Sequence, residues 1–385
     1  MTGVAEAPQL AGVLADSGRR LRVGIIGCGD VAHRWYLPAL EHLADRVEIT
    51  ASCDPRSEAA ERIVTAVEGW SPGTRAFTEL DAFLTEAELD AVFNLSPAPL
   101  HSSITRACLE AGVHVYSEKP LAAALTEADE LIALAAAHER LLLCAPGVAV
   151  TRRFKWLAEI VETRRFGTLT LAVAHHADPG PAAWREYTGD PSVFYREGVG
   201  PLIDHGIYRL HGLTMLMGPV RRVQAMGAIG QSTRVVRGGP LTGQTIPVTT
   251  PDHVLVNLEF TKGGLGQLLA SFGTPSTLAP WMELHFEKAT ISFPGASWDP
   301  DGTASIYVDD DGPLGLEAWT HDVDPPPPAD ALPVVGMGAA HFIACLRSEE
   351  QPVLTAEHAR HVLDIIVKTY ASIEDGASHQ TETAF

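Results

Sequence analysis

From Leu21 onward, short apolar runs alternate with amphipathic stretches. The runs at 22–27, 47–53, 90–95, 113–117 and 141–145 read as strands of a buried sheet. Between them, apolar residues recur at helical spacing over about 30–43, 56–67, 101–111 and 124–138. Strand–helix alternation without two-residue hairpin turns predicts α/β structure, a doubly wound parallel sheet with helices on both faces. Pro146-Gly147 marks its end.

The pattern then changes. After a helix at about 151–164, Thr168 to His175 alternates apolar and polar residues as a half-buried strand does. Further strand-like runs at 220–230, 252–260, 265–272, 281–286, 289–293 and 304–308 are separated by turns such as Lys262-Gly263-Gly264. They predict an α+β domain whose antiparallel sheet has one broad face, interrupted by a helix near 201–217. Prolines 325–328 form a stiff crossing segment, and helices at about 338–347 and 355–374 close the chain. The expected division is a flexible tail 1–20, a first domain 21–146, a second domain 147–335, C-terminal helices 336–376 and a tail 377–385.

Length supports two sizeable cores. A formal net charge of −20 would repel a phosphate backbone, so no nucleic-acid partner is expected, and a cationic substrate would be mildly favoured. The five cysteines are scattered without a C-x-x-C pair, which supports neither a zinc site nor a dithiol motif. The first 20 residues do not resemble a signal peptide, and no apolar run approaches bilayer length. A cytoplasmic protein with no membrane partner is expected.

Chemistry concentrates at the predicted strand ends. Gly27-Cys28-Gly29-Asp30-Val31-Ala32 fits G-x-G-x-x-A between a strand and a helix. The first glycine permits a tight turn, the second lets backbone approach a pyrophosphate, and the helix N-terminus offers N–H groups to its oxygens. Asp54, ending the second strand, is placed to accept hydrogen bonds from an adenosine ribose, which favours NAD. Arg56 keeps NADP open, since it could hold a 2′-phosphate. Leu95-Ser96-Pro97 forms the turn after the next strand and would flank the nicotinamide half. His101 starts the following helix, where bonding to backbone suits it better than catalysis. Glu118-Lys119-Pro120 closes the strand at 113–117, presenting a lysine outside the carboxyl edge of the sheet, where open α/β sheets bind ligands.

In the second half, Gly198-Val199-Gly200-Pro201 leads into a helix carrying Asp204, Tyr208 and His211. Their i, i+4, i+7 spacing predicts one shared face, with His205 roughly 100° away from Asp204 on a regular helix. Trp184-Arg185 sits in a Pro/Gly-rich loop, as a segment covering a substrate would. Of His175-His176, alternation allows at most one, taken as His176, to face a ligand, and with no supporting carboxylate pattern no metal is expected.

The segments GCGDVA at 27–32, SPAPLH at 96–101, AGVHVYSEKP at 111–120, GVGPLIDHGIY at 198–208 and the terminal Tyr370-to-Gly376 resemble the glucose–fructose oxidoreductase / inositol dehydrogenase / rhizopine catabolism family, Gfo/Idh/MocA. The resemblance spans nearly the whole chain after the tail. It implies a Rossmann domain, a second domain with a large open sheet, and oxidation or reduction of one secondary alcohol or ketone of a sugar, amino sugar or cyclitol. It makes Lys119 the residue between nicotinamide and substrate. Asp204 matches the first position of the family's acid–base pair, and Tyr208 matches the second in its tyrosine form. Catalysis is therefore expected from Lys119, Asp204 and Tyr208, with His205 or His211 as the alternative proton relay. A homodimer or homotetramer is implied, as relatives pair through the open sheet face. Two other readings stay open: a non-catalytic cofactor-binding regulator of the same fold, and a ketoreductase acting on a nucleotide-linked sugar in secondary metabolism.

Overall fold

Six short runs form a parallel sheet because most of their side chains are apolar and most of their positions are buried, whichever face they point to. They are β1 Leu21–Ile26, β2 Val47–Cys53, β3 Arg75–Phe77, β4 Ala91–Asn94, β5 His114–Ser117 and β6 Leu142–Cys144. In the computed structural model, which describes residues 18–293, 304–309, 319–321 and 332–385, their order is β3-β2-β1-β4-β5-β6. That is the doubly wound α/β arrangement, and the order reverses between β1 and β4, the place where such sheets bind dinucleotides. The short edge strand β3 has two exposed residues of its three, so no apolar run announced it. The four-proline segment and the first 17 residues lie outside the described residues.

The chain divides into two compact units, one of residues 1–150 and 332–360, the other of 151–331 and 361–385. The helix Val334–Leu346 belongs to the first, where the sequence suggested a separate segment from 336. Its Phe342 completes an aromatic core, with ring centroids 5.6 Å from both Phe93 and Tyr116, while Tyr36 packs on the same pair. Leu354 accepts a hydrogen bond from the Cys144 backbone at 3.0 Å, tying the following segment to β6. The division therefore falls inside the helix Ala356–Asp375.

In the second unit the strands are β7 Leu169–Ala177, β8 Val220–Ala228, β9 Thr233–Val235, β10 Thr245–Pro247, β11 His253–Phe260, β12 Leu265–Ser271, β13 Met282–Phe286, β14 Ala289–Phe293, β15 Ser305–Val308, β16 Thr320–His321 and β17 His379–Gln380. Nine of them form one sheet in the order β16-β15-β14-β13-β7-β12-β11-β8-β17, and β9 pairs with β10. Buried and exposed positions alternate along β11, β13 and β14, which gives the sheet one apolar face. The sheet is antiparallel except where β7 and β12 run parallel. That pair is joined by a long excursion through the helix Ile207–Met217, β8 and β11, a length that a parallel connection demands. The helix itself is almost entirely buried and lies against β7 and β12.

Candidate active site

At the carboxyl edge of the parallel sheet the ladder runs one residue past each strand. Gly27 N donates to Cys53 O, Leu95 N to Ile26 O and Glu118 N to Asn94 O, at 2.7–2.9 Å. The glycine turn, the Ser96-Pro97 turn and the Lys119 turn are thus side by side in register. Gly27 has φ of +84°, and a Cβ there would lie 2.6 Å from the backbone of Leu95 and Ser96. At Gly29 a Cβ would meet no protein atom within 4 Å. One glycine is needed by the fold, and the other leaves open space above the helix start. The helix begins at Asp30, which pairs with Arg34 at 3.0 Å, and Val31 is exposed.

Asp54 is buried at the end of β2 and accepts from the Cys28 N–H at 3.0 Å. It also accepts from the Arg56 backbone N–H and, through both its oxygens, from the Arg56 guanidinium at 3.0 and 3.1 Å. Burial alone would raise its pKa, but these hydrogen bonds together hold it below the usual carboxylate value. Arg56 itself is mostly exposed, so it can swing away and free acceptor sites for a ribose. The Cys28 thiol is pushed up to about 12 by burial and by the Asp54 charge, so Cys28 contributes its N–H rather than its sulfur. A positive-φ turn, an open glycine, a helix start with Val31 exposed and a buried carboxylate together fit the pyrophosphate and ribose of NAD.

The other two turns are held by side chains. Asn94 accepts from Ser96 Oγ at 2.7 Å and donates to the His101 carbonyl and to Thr105. The buried His101 ring meets the carbonyls of Ser96 at 2.8 Å and Pro120 at 2.7 Å, clasping the two turns together. Burial lowers its pKa, against the pull of those carbonyls and of Glu118. Glu118 accepts from Tyr36 Oη at 2.7 Å and, with its other oxygen, from Lys119 N at 3.0 Å. Tyr36 was not singled out by sequence; its only signal is an aromatic one turn into the helix after the fingerprint. Lys119 is half-buried.

In the second unit the decisive local feature is a π-helical segment, Leu202–Gly206, ahead of the helix Ile207–Met217. The extra residue in that turn breaks the regular angular spacing on which the one-face expectation rested. His205 is consequently not turned away from Asp204: its Nε2 lies 3.8 Å from Asp204 Oδ2. The His205 ring lies 4.0 Å from that of His176, 5.3 Å from Trp184 and 6.4 Å from Tyr208, centroid to centroid. Asp204, His205 and Tyr208 are half-buried and accessible. His211, expected on the same face, is corrected to the interior: it is 4% exposed, and burial, with the charge of His361, pushes its pKa down to about 3. Arg185 is exposed beside the half-buried Trp184.

The structure adds Asp178, which sequence reasoning passed over. Its Oδ2 stands 3.4 Å from His176 Nε2, and its Oδ1 accepts from Gly180 N at 2.7 Å. The signal was the H-x-D spacing, which puts both side chains on one face of an extended chain.

These two units define an oxidoreductase of the Rossmann type, with a nucleotide-binding unit and a second unit that carries its own cluster of ionisable groups. Residues 21–145 match the oxidoreductase family, NAD-binding Rossmann fold, and residues 154–292 match the GFO/IDH/MocA C-terminal domain. The chain belongs to the Gfo/Idh/MocA family, and NAD is its cofactor. It is 29% identical to D-glucoside 3-dehydrogenase of Escherichia coli over 363 residues, 92% of this chain and 96% of that protein. It is 29% identical to dTDP-3,4-didehydro-2,6-dideoxy-alpha-D-glucose 3-reductase of Streptomyces antibioticus over 293 residues, 70% of this chain and 82% of that one. Among solved structures, the WlbA dehydrogenase of Chromobacterium violaceum, in complex with NADH and UDP-GlcNAcA, shares the fold with a TM-score of 0.74 at 20% identity, covering 96% of this chain and 99% of its own. No helix among the described residues is long and apolar enough to cross a membrane.

Proposed function

We propose that the protein interconverts a secondary alcohol and a ketone on a sugar, amino sugar or cyclitol by direct hydride transfer, at C3 of a hexose-derived ring. The sugar class and the carbon rest on the relatives, a 3-dehydrogenase and a 3-reductase of hexose derivatives. The observation within this chain that carries the reading is Lys119, held at the carboxyl edge beside the glycine turn by the Glu118 and His101 hydrogen bonds. Bound nicotinamide supplies the hydride donor or acceptor. The Lys119 ammonium polarises the substrate oxygen and stabilises the negative charge that develops on it in reduction. Tyr208 delivers or removes the hydroxyl proton, with Asp204 and His205 beside it in the second unit. In reduction the Tyr208 hydroxyl gives its proton to the oxygen on which negative charge develops as hydride reaches the carbon. Oxidation requires the neighbouring His205, its ring 6.4 Å from that of Tyr208, to draw the proton away.

The test is turnover, followed through nicotinamide absorbance, over a panel of free, glycosidic and nucleotide-linked hexoses. Lys119→Ala should lower kcat/KM by about 10³ or more with NAD affinity nearly unchanged. Tyr208→Phe should lower kcat by about 10²-fold or more, and His205→Gln by clearly less. Full activity in Lys119→Ala removes the central assignment, and the reverse order of the last two gives the proton to histidine. NAD binding without turnover of any sugar would establish the regulatory reading instead.

The reductase relatives favour one narrower version, reduction of a keto group on a nucleotide-linked sugar. Preference for dTDP-linked over free hexoses would support it, and preference for unlinked cationic amino sugars would favour the acidic-field expectation. A homodimer or homotetramer is proposed through the open sheet face, where Met226, Leu255 and Leu265 are exposed. Light scattering on the Met226→Glu variant tests it, dissociation being expected.

A further inference from the structure

We propose that His176, Asp178 and His205 form a binding site for one divalent transition-metal ion of the zinc class. One ligand atom from each of the three lies within 4.8 Å of the others. Two imidazoles and one carboxylate make a donor set that suits borderline ions such as Zn²⁺, Co²⁺ or Ni²⁺ and leaves a position for water or a substrate oxygen.

The spacing of the first two ligands carries the argument. His176 Nε2 is buried, makes no hydrogen bond, and stands 3.4 Å from Asp178 Oδ2. In a tetrahedral site with bonds of about 2.1 Å, neighbouring donor atoms are separated by about 3.4 Å. The two atoms are therefore already at the edge length such an ion imposes. Both are fixed from behind. His176 is held in β7 opposite Ala270 of β12. The Asp178 backbone donates to Ser271 O at 3.0 Å and accepts from Thr274 N at 3.1 Å. Gly180 N binds Oδ1 at 2.7 Å, turning Oδ2 toward the histidine. This is the outer-shell support that orients a ligating carboxylate.

His205 supplies the third donor from a different kind of element. It sits on the π-helical turn, and its ring centroid is 4.0 Å from that of His176. As the ligand atoms lie within 4.8 Å of one another, an approach of at most about 1.4 Å would bring its nitrogen to the same edge length. The Asp204 carboxylate, 3.8 Å from His205 Nε2, offsets the charge left after one ligating carboxylate. Trp184, 5.3 Å from His205, lies close enough to report an ion there.

The inference does not depend on the hydride-transfer reading, and its test uses neither NAD nor sugar. The full-length chain, purified without a histidine tag and stripped with chelator, is titrated with Co²⁺ alone. One Co²⁺ per chain is expected, with visible d–d absorption and quenching of tryptophan emission. Trp184→Phe should lose most of that quenching and keep the absorption. His176→Gln and Asp178→Asn should each weaken binding tenfold or more while retaining the wild-type far-ultraviolet circular dichroism. Should either fail to fold, His205→Gln, at a half-buried position outside the sheet, replaces it with the same expectation. Absence of the d–d bands from the wild-type protein, or bands of equal strength in the folded variants, overturns the proposal.

Discussion

The two units hold their chemistry in opposite ways. In the first, the candidate turns stand at the ends of parallel strands, where the ladder fixes their place: Gly27 after β1, Asp54 after β2, Ser96 after β4 and Lys119 after β5. In the second, His176 stands in β7 and Tyr208 on a regular helix, but the others hang on a loop and an irregular turn: Asp178 just past β7, Trp184 after a short 3₁₀ turn, His205 inside a π segment. A ladder permits little except its register. An irregular turn can bring together residues that regular geometry would separate, and it leaves them more easily disturbed.

This contrast can be broken most directly at the glycines. Gly27→Ala forces an L side chain to φ +84° with its Cβ 2.6 Å from backbone, and should destabilise the protein by about 3 kcal/mol or more. Gly29→Ala should leave stability within about 1 kcal/mol and still reduce NAD affinity, because its Cβ enters the space meant for the pyrophosphate. Thermal unfolding and calorimetric NAD titration on both variants separate the roles. Equal loss of stability in the two would erase the distinction between a glycine of the fold and a glycine of the ligand.

Acid offers a second comparison. Burial lowers His211 in the second unit from 6.5 to about 3, and burial with the charge of Arg140 lowers His114 in the first to about 4. The unfolded chain takes up protons on both histidines as pH falls below 6.5, and the folded chain does not until it passes those lower values. Their contribution is therefore complete above about pH 6.5 and is lost progressively down to pH 4 or 3. For His211 the full loss is at most roughly 5 kcal/mol. The pH slope of stability between 6 and 4 should be shallower in His211→Gln and, by less, in His114→Gln. An unchanged slope in both would mean that these rings are charged in the folded protein.

The smallest effect is expected at Arg56. Its guanidinium occupies both oxygens of Asp54, so Arg56→Ala should raise NAD affinity a few-fold and lower NADP affinity. Titration with both cofactors decides it; a fall in NAD affinity would give Arg56 a direct contact with the dinucleotide.

What the sequence disclosed follows the same division. Buried strands written as unbroken apolar runs, and a glycine pattern between strand and helix, placed the first unit's turns to within a residue or two. It could not disclose β3, with one buried residue, or the clasp of His101 on Pro120, which joins positions distant in sequence. In the second unit, alternation revealed most of the sheet but not the parallel β7–β12 pair, since direction is not written in a period of two. The placing of Asp204, Tyr208 and His211 on one face assumed 3.6 residues per turn. A single π turn was enough to bring His205 to the cluster and leave His211 in the interior.

Phe342 gives the order of events during synthesis a particular shape. The aromatic cluster of Tyr36, Phe93 and Tyr116 leaves the ribosome early, but the ring that closes it arrives only after the second unit's sheet strands through β16 have emerged. Domains usually fold as they are made, N-terminal first. Here the nucleotide-binding half must wait, half-finished and with apolar surface showing, until nearly the whole chain has been translated. A fragment cut at residue 150 lacks that ring, so its stability and its hold on a dinucleotide should fall well below those of the full chain.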